Sequence, residues 1–354
     1  MIGVGRNLSD PLTQLVNLGK PGAGGDYHFT YWPQSSYITS SHYLFMLNSY
    51  AYATYNFIAP LYSQIAVQSD HFSGSIVVEP SNLLTLVQST SKIYGLQPEL
   101  PEWVYNGAIL GVQGGTELML KYLDEAQAHG VSVSAMWIQD WAGKISTSLG
   151  TRVFWNWKWN STWYPDLDTV IKDLKEKNIR VLNYINPHLN QEGDLFKAGN
   201  EEGIFLRQDS NIDKTYIQDF GEFYCGSIDF WNEKGYEWYK KMIIEHTLDF
   251  GFSGWMADFG EYTPMDCTTS NDSVKLTNQE RHNMYPNLWV KLNREAIMDE
   301  GLLGDILFWN RAGAAGTSGY STMLWGGDQN VDWSFSDGLP SSIIGGMGEE
   351  LTDF

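Results

Sequence analysis

Gly254-Trp255-Met256-Ala257-Asp258-Phe259-Gly260-Glu261 is the stretch whose reading decides the fold. With Phe252 ahead of it, an apolar run from Phe252 to Ala257 ends in one carboxylate, and a second follows at Glu261. A short apolar run of this kind fits a strand buried on both faces of a parallel sheet. In an α/β barrel the C-terminal ends of such strands form the catalytic rim, so Asp258 stands where that fold builds its active sites. Farther along, Trp325-Gly326-Gly327-Asp328-Gln329 repeats the form, an apolar strand with a carboxylate at its tip. Two carboxyl groups flanking one pocket are what glycoside hydrolysis needs, one to attack or stabilise the anomeric carbon and one to protonate the leaving oxygen. The alternative is that both aspartates cap helix N-termini at the rim.

Around this core, strands and helices alternate from Trp103 onward, the pattern of a parallel sheet. Strands are expected at Val104 to Val112, Val131 to Ile138, Arg180 to Ile185, Phe223 to Asp229, Leu303 to Trp309 and Thr322 to Trp325. Helices are expected at Thr116 to His129 (with Thr116 as cap and Gly130 beyond the end), from Tyr164-Pro165-Asp166 onward, at Glu233 to Phe250, and near Met284 to Met298. Residues 188 to 222 read as irregular and polar. A closed (β/α)8 TIM barrel needs eight strands, and about six are present, so the chain is expected to be a C-terminally truncated piece of one. Residues 1 to 97 read differently: short β-branched and aromatic runs at Tyr27 to Trp32, Tyr37 to Met46, Tyr50 to Ile58 and Gly74 to Val78, punctuated by Gly and Pro. They suggest part of a β-sandwich domain, with a short helix over Ser81 to Ile93. Gln97-Pro98-Glu99-Leu100-Pro101 is a stiff linker that places the boundary at 97/98, with the catalytic barrel at 98–354.

Composition narrows the function. A formal net charge of −20 disfavours nucleic acid and anionic membrane as partners. Aromatic residues make up 14% of the chain, fifteen of them Trp, which suits rings that stack on sugar faces as well as a large core. The two cysteines, Cys225 and Cys267, give neither a disulfide framework nor a zinc spacing, and the seven His form no paired-ligand motif. No metal or cofactor is expected. Met1 to Asp10 lacks the features of a signal peptide and no apolar run is long enough to span a bilayer, so a cytoplasmic location is the default.

Other strand ends carry polar groups. Arg311 closes the strand after Asp258 and could clamp sugar hydroxyls bidentately or sit in a structural ion pair. Arg152-Val153-Phe154-Trp155-Asn156-Trp157-Lys158-Trp159 interleaves aromatics with cations. As a regular strand it would put Trp155, Trp157 and Trp159 on one face and Arg152 on the other, so Arg152 and Trp155 converge only if the segment bends. It reads either as an aromatic plug in the barrel mouth or as a subsite for an anionic group, with amides from Gln113 and Gln139 at neighbouring strand tips.

These motifs resemble glycoside hydrolase family 31, the retaining α-glucosidase family. Gly254 to Glu261 is similar to its nucleophile motif, Gly327-Asp328-Gln329 to its acid/base motif, and Arg311 to its substrate-binding arginine. Within the family the chain is most similar to the sulfoquinovosidase branch, which cleaves α-glycosides of 6-deoxy-6-sulfoglucose. Gln113, Gln139, Arg152 and Trp155 match that branch's sulfonate-binding residues in type and spacing. Gln-Gly-Gly-Thr-Glu at 113 to 117, Gln-Asp-Trp at 139 to 141, Trp-Asn-Trp-Lys-Trp-Asn at 155 to 160 and Gly-Asp-Gln-Asn-Val-Asp-Trp-Ser at 327 to 334 carry the same likeness. The resemblance implies Asp258 as nucleophile, Asp328 as acid/base, Glu261 and Arg311 supporting sugar and nucleophile, and a small carbohydrate as the partner. A neutral α-glucoside such as sucrose, or a non-catalytic carbohydrate-binding role for an inactive fragment, are the rival expectations.

Overall fold

A computed structural model describes residues 31–327, apart from Pro60 and Leu149. The chain forms two compact units. One takes in the described residues up to Pro98, together with Gln279–Asn287 and those from Arg311 on; the other comprises Glu99–Asn278 and Leu288–Asn310.

In the first unit, β1 (Ser36–Ile38), β2 (Tyr43–Leu47) and β5 (Gly74–Val78) form an antiparallel sheet, while β3 (Ala53–Asn56) pairs with β4 (Gln64–Val67) as a separate hairpin. The run expected from Tyr37 to Met46 is therefore a hairpin and not one strand: His42 adopts a left-handed φ of 60°, and the chain reverses between Thr39 and Tyr43. Helix α1 (Leu83–Tyr94) starts where Asn82 accepts from the Thr85 amide at 2.9 Å, a side-chain cap. It buries Leu86 against Leu44 and Met46 of β2.

The second unit is built on parallel strands in the order β6 (Ala108–Val112), β7 (Val133–Ile138), β10 (Arg180–Ile185), β16 (Gly254–Ala257) and β18 (Leu307–Asn310). Strands β7, β10, β16 and β18 are buried almost throughout, as unbroken apolar runs in a parallel sheet require. Helices α2 (Thr116–Ala128) and α3 (Leu167–Glu176) follow β6 and β7 and pack on the sheet, with Met119, Leu123, Ile171 and Leu174 inward. Each such side chain contributes roughly 1.5–3 kcal/mol by leaving water. Thr116 does not cap α2: its hydroxyl donates to the Pro165 carbonyl at 2.8 Å and Gly115 precedes the helix. This is a (β/α) barrel fold in incomplete form.

The connections depart most from expectation. After β7, β8 (Lys144–Thr147) and β9 (Gly150–Val153) form a hairpin. Residues 188–222, expected to be irregular, contain β11 (His188–Asn190), helix α4 (Asp194–Glu202), β12 (Arg207–Gln208), β13 (Asn211–Thr215) and β14 (Ile217–Asp219). Strand β15 (Tyr224–Ser227) pairs antiparallel with both β11 and β14. Helix α5 (Glu233–Ile243) runs into one π-helical turn, Ile244–Leu248, before Gly251 at φ 107° releases the chain into β16. Past Asp258, the excursion to β17 (Cys267–Thr268) is anchored by buried Asp229, which accepts from Thr269 Oγ1 at 2.8 Å and from the Ser270 amide at 2.8 Å. Helix α6 (Asn278–Asp299) then precedes β18, and β19 (Met323–Leu324) ends the described part. Both cysteines are free and buried, and Cys267 Sγ donates to the Pro264 carbonyl at 3.0 Å.

Candidate active site

The register of the sheet sets where Asp258 emerges. Strand β16 lies between β10 and β18, pairing Ala257 with Ile185 on one side and with Asn310 on the other. Such an approach requires glycine at 254, where a Cβ would stand 2.0 Å from the Leu307 carbonyl oxygen. Beyond Ala257 the ladder continues for one bond, Asp258 N–H to the Ile185 carbonyl at 3.0 Å, and the Asp258 carbonyl accepts from Trp289 Nε1 at 3.2 Å. The backbone of Asp258 is thereby held from both sides, and the residue is only 5% exposed.

Its carboxylate is held as well. Oδ2 accepts from the Tyr184 hydroxyl at 2.5 Å, and Oδ1 accepts from the Phe259 amide at 2.8 Å. The second bond depends on a turn immediately after the strand, with Phe259 at φ 60° and Gly260 at φ 113°. Few side chains adopt that region, and a phenylalanine there is held by its surroundings. Its ring meets Trp155 at 5.3 Å, His188 at 5.8 Å and Tyr262 at 5.3 Å between centroids. Glu261 is half-buried in the same turn.

Trp155 is the hub of the aromatic wall beside Asp258-Phe259. It stacks on His188 at 5.7 Å and meets the rings of Phe220 and Phe223 edge-on at 4.9 and 4.8 Å. The segment does bend: β9 ends at Val153, and the three tryptophans diverge. Trp157 is fully buried and donates to the Asn186 carbonyl at 3.0 Å, while Trp159 donates to the Tyr164 carbonyl at 2.8 Å. Arg152 reaches the same wall from β9, donating to the Phe220 carbonyl and lying 5.9 Å from the Phe223 ring. At the hairpin tip Ser148 holds Glu222 through its amide at 2.9 Å and its hydroxyl at 2.6 Å.

The glutamines form a second pair. Gln113 Nε2 donates to Gln139 Oε1 across the ends of β6 and β7. Next to them, fully buried Asp140 accepts from the Gly114 amide at 3.0 Å, Trp163 Nε1 at 2.8 Å and the Tyr164 hydroxyl at 2.6 Å, with Lys144 Nζ at 3.2 Å. This carboxylate is structural: it locks both glutamine-bearing turns to the start of the insertion.

Arg311 follows Asn310 of β18 and belongs to the first unit. It is buried, with its guanidinium 4.7 Å from the Tyr31 ring and 5.4 Å from the Trp325 ring. Asp328 lies outside the described residues. The structure thus joins the expected residues as Asp258 with Trp155 through Phe259, Arg152 with Trp155 through Phe220 and Phe223, and Gln113 with Gln139. Reading the sequence missed Tyr184, Asn186, His188 and the two phenylalanines of the wall.

His188 is fully buried, with Nδ1 at 2.8 Å from Ser227 Oγ, and burial pushes its pKa down to about 3. It is a neutral ring in this wall. Among the described residues no group of three or more His, Cys, Asp or Glu could hold a metal ion, and no helix is long and apolar enough to cross a membrane.

The family model described as "Glycosyl hydrolases family 31 TIM-barrel domain" matches residues 98–352. The chain belongs to glycosyl hydrolase family 31. Among curated proteins it is 41% identical over 99% of its length to a sulfoquinovosidase of Escherichia coli (strain K12), and 39% identical over 99% to one of Agrobacterium fabrum. Among solved structures it is similar to a family 31 sulfoquinovosidase from E. rectale in complex with an aza-sugar inhibitor, at 39% identity and a TM-score of 0.91 over 99% of this chain. It spans about half the length of these relatives: 51% and 52% of the two curated proteins and 52% of the solved chain.

Proposed function

We propose that the chain carries the catalytic core of a retaining α-glycoside hydrolase acting on α-sulfoquinovosides, with Asp258 as nucleophile and Asp328 as general acid and base. The observation that carries the catalytic assignment is the Asp258 carboxylate, fixed at a parallel-strand end by a donor on each oxygen. In the first step a carboxylate oxygen of Asp258 attacks the anomeric carbon as the bond to the aglycone oxygen breaks, and Asp328 gives that oxygen its proton. In the second, Asp328 takes a proton from water, which attacks the same carbon and releases Asp258 as carboxylate. Glu261 and Arg311 hold the sugar and the nucleophile.

The substrate class rests on Arg152 and Trp155 meeting in one wall, together with likeness to three proteins named as sulfoquinovosidases. A guanidinium offers more N–H donors than one carbonyl uses, so Arg152 can hold Phe220 and still face a sulfonate. Gln113 and Gln139 add neutral amides. The test is a paired hydrolysis assay in the full-length protein on an α-sulfoquinovoside and the matching α-glucoside. The expected result is strong preference for the sulfonated sugar, with kcat/KM falling about 100-fold in Arg152→Ala, as loss of a charge-assisted contact predicts. A preference for the glucoside that survives Arg152→Ala would move the function to a neutral α-glucosidase. Binding without turnover of either would leave a carbohydrate-binding role.

A further inference from the structure

We propose that Tyr184 is a positioning residue for the nucleophile: its phenol, oriented by Asn186, fixes the aim of the Asp258 carboxylate and shares its charge. The inference rests on the reading of Asp258 as nucleophile. Tyr184 sits on β10, paired with Met256 of β16, so the side chains of adjacent strands meet at the rim. It is 3% exposed, and its hydroxyl lies 2.5 Å from Asp258 Oδ2. Which group donates is settled by the third member. Asn186 Nδ2 donates to the Tyr184 oxygen at 3.2 Å, so the phenol accepts there and its own proton points at the carboxylate.

Asn186 is itself held by its neighbours. Its side-chain oxygen accepts from the His188 amide at 3.0 Å, and its carbonyl accepts from Trp157 Nε1 at 3.0 Å and from the Tyr239 hydroxyl. The orientation of the phenol is therefore set by β10, the insertion and α5 together. With Phe259 N–H on the other oxygen, the carboxylate is clamped from both sides.

The charge on Asp258 vanishes when the glycosyl ester forms and returns when water displaces it. The phenol keeps its proton throughout. A donor that stays in place favours the ionised carboxylate, so it keeps the nucleophile charged before attack and makes it a better leaving group in the second step. Among the described residues, ionisable side chains close to this pair include His188 and Tyr262 against Phe259, Glu261 in the same turn, and Tyr239 on the Asn186 carbonyl. His188 is kept neutral by burial, and all four are unchanged when Tyr184 alone is altered.

The experiment compares wild type, Tyr184→Phe and Asp258→Asn in the full-length protein, following kcat/KM against pH and the thermal midpoint. Tyr184→Phe should fold, lose about 10- to 100-fold in kcat/KM, and move the acid limb of the profile upward. Placing 3,5-difluorotyrosine at 184, a stronger donor of the same shape, should move that limb downward, and decides the matter if the Phe variant does not fold. An acid limb that stays put in both substitutions overturns the inference, even if activity falls, because a purely structural tyrosine would behave that way. Full turnover in Asp258→Asn would instead remove the reading beneath it; an inactive Asp258→Asn beside an unaltered Tyr184→Phe would sink the inference alone.

Discussion

The Asp258 carboxylate accepts from Tyr184 on the strand beside it and from the amide of the residue after it, and only the second lay within reach of a linear reading. The motif around Asp258 announced itself by composition, an apolar run closed by a carboxylate. Tyr184 and His188 did not, because their part depends on strand register and on a β11–β15 pairing that brings together residues far apart in the chain. A tyrosine inside an apolar strand looks like core until its neighbour across the sheet is known. His188 carries a consequence for acid stability. Its folded value of about 3 lies below its ordinary 6.5, so the folded chain stays unprotonated where the unfolded chain takes up a proton. This contribution to stability is fully present above the unfolded value and is lost as pH falls from there toward the folded one. Denaturant melts at pH 7 and pH 5 should show a pH-induced loss about 2 kcal/mol smaller in His188→Gln than in wild type. Equal losses would mean that the ring is not buried neutral.

At the scale of elements, the barrel strands were the most legible part. Among them Arg180 to Ile185 was read with the bounds the structure gives, as was Gly74 to Val78 in the antiparallel sheet of the first unit, because short runs dominated by Val, Leu and Ile leave little freedom in where a strand lies. The connection between β10 and β15 was not legible. Its strands are short and uneven in burial, β11 buried at all three residues and β13 exposed at four of five, so no alternation marked them. Helix α5 was expected to run unbroken to Phe250, and the π-helical turn left no sequence signal. The junction of β16 and β18 offers a sharp test of register. Gly254→Ala places a methyl 2.0 Å from the Leu307 carbonyl, a clash with backbone that cannot swing aside. It should destabilise the fold by about 3 kcal/mol or more, seen as a large drop in thermal midpoint or loss of soluble protein. An unchanged midpoint would contradict the β16–β18 pairing.

Summed over this chain, a formal charge of −20 sits awkwardly with the anionic substrate proposed for it. The long-range field opposes approach, and only close groups such as Arg152 favour it. Salt screens the distant charges more than the partly buried contact. For a sulfonated glycoside, kcat/KM should therefore rise a few-fold between about 10 mM and 150 mM salt, while the neutral glucoside stays flat. A fall for the sulfonated sugar would show the local cation outweighing the global field.

Both native thiols are out of reach of solvent, Cys225 in β15 and Cys267 in β17, and burial pushes the Cys225 thiol well up. The chain therefore offers a chemically silent background for labelling. Met265, 55% exposed on the excursion that leaves Asp258, stands between the Thr263–Gly260 contact and the Asp229 anchor. A Met265→Cys variant would accept a single maleimide dye there, and the fluorophore would report on the neighbourhood of Asp258 without disturbing either end of its turn.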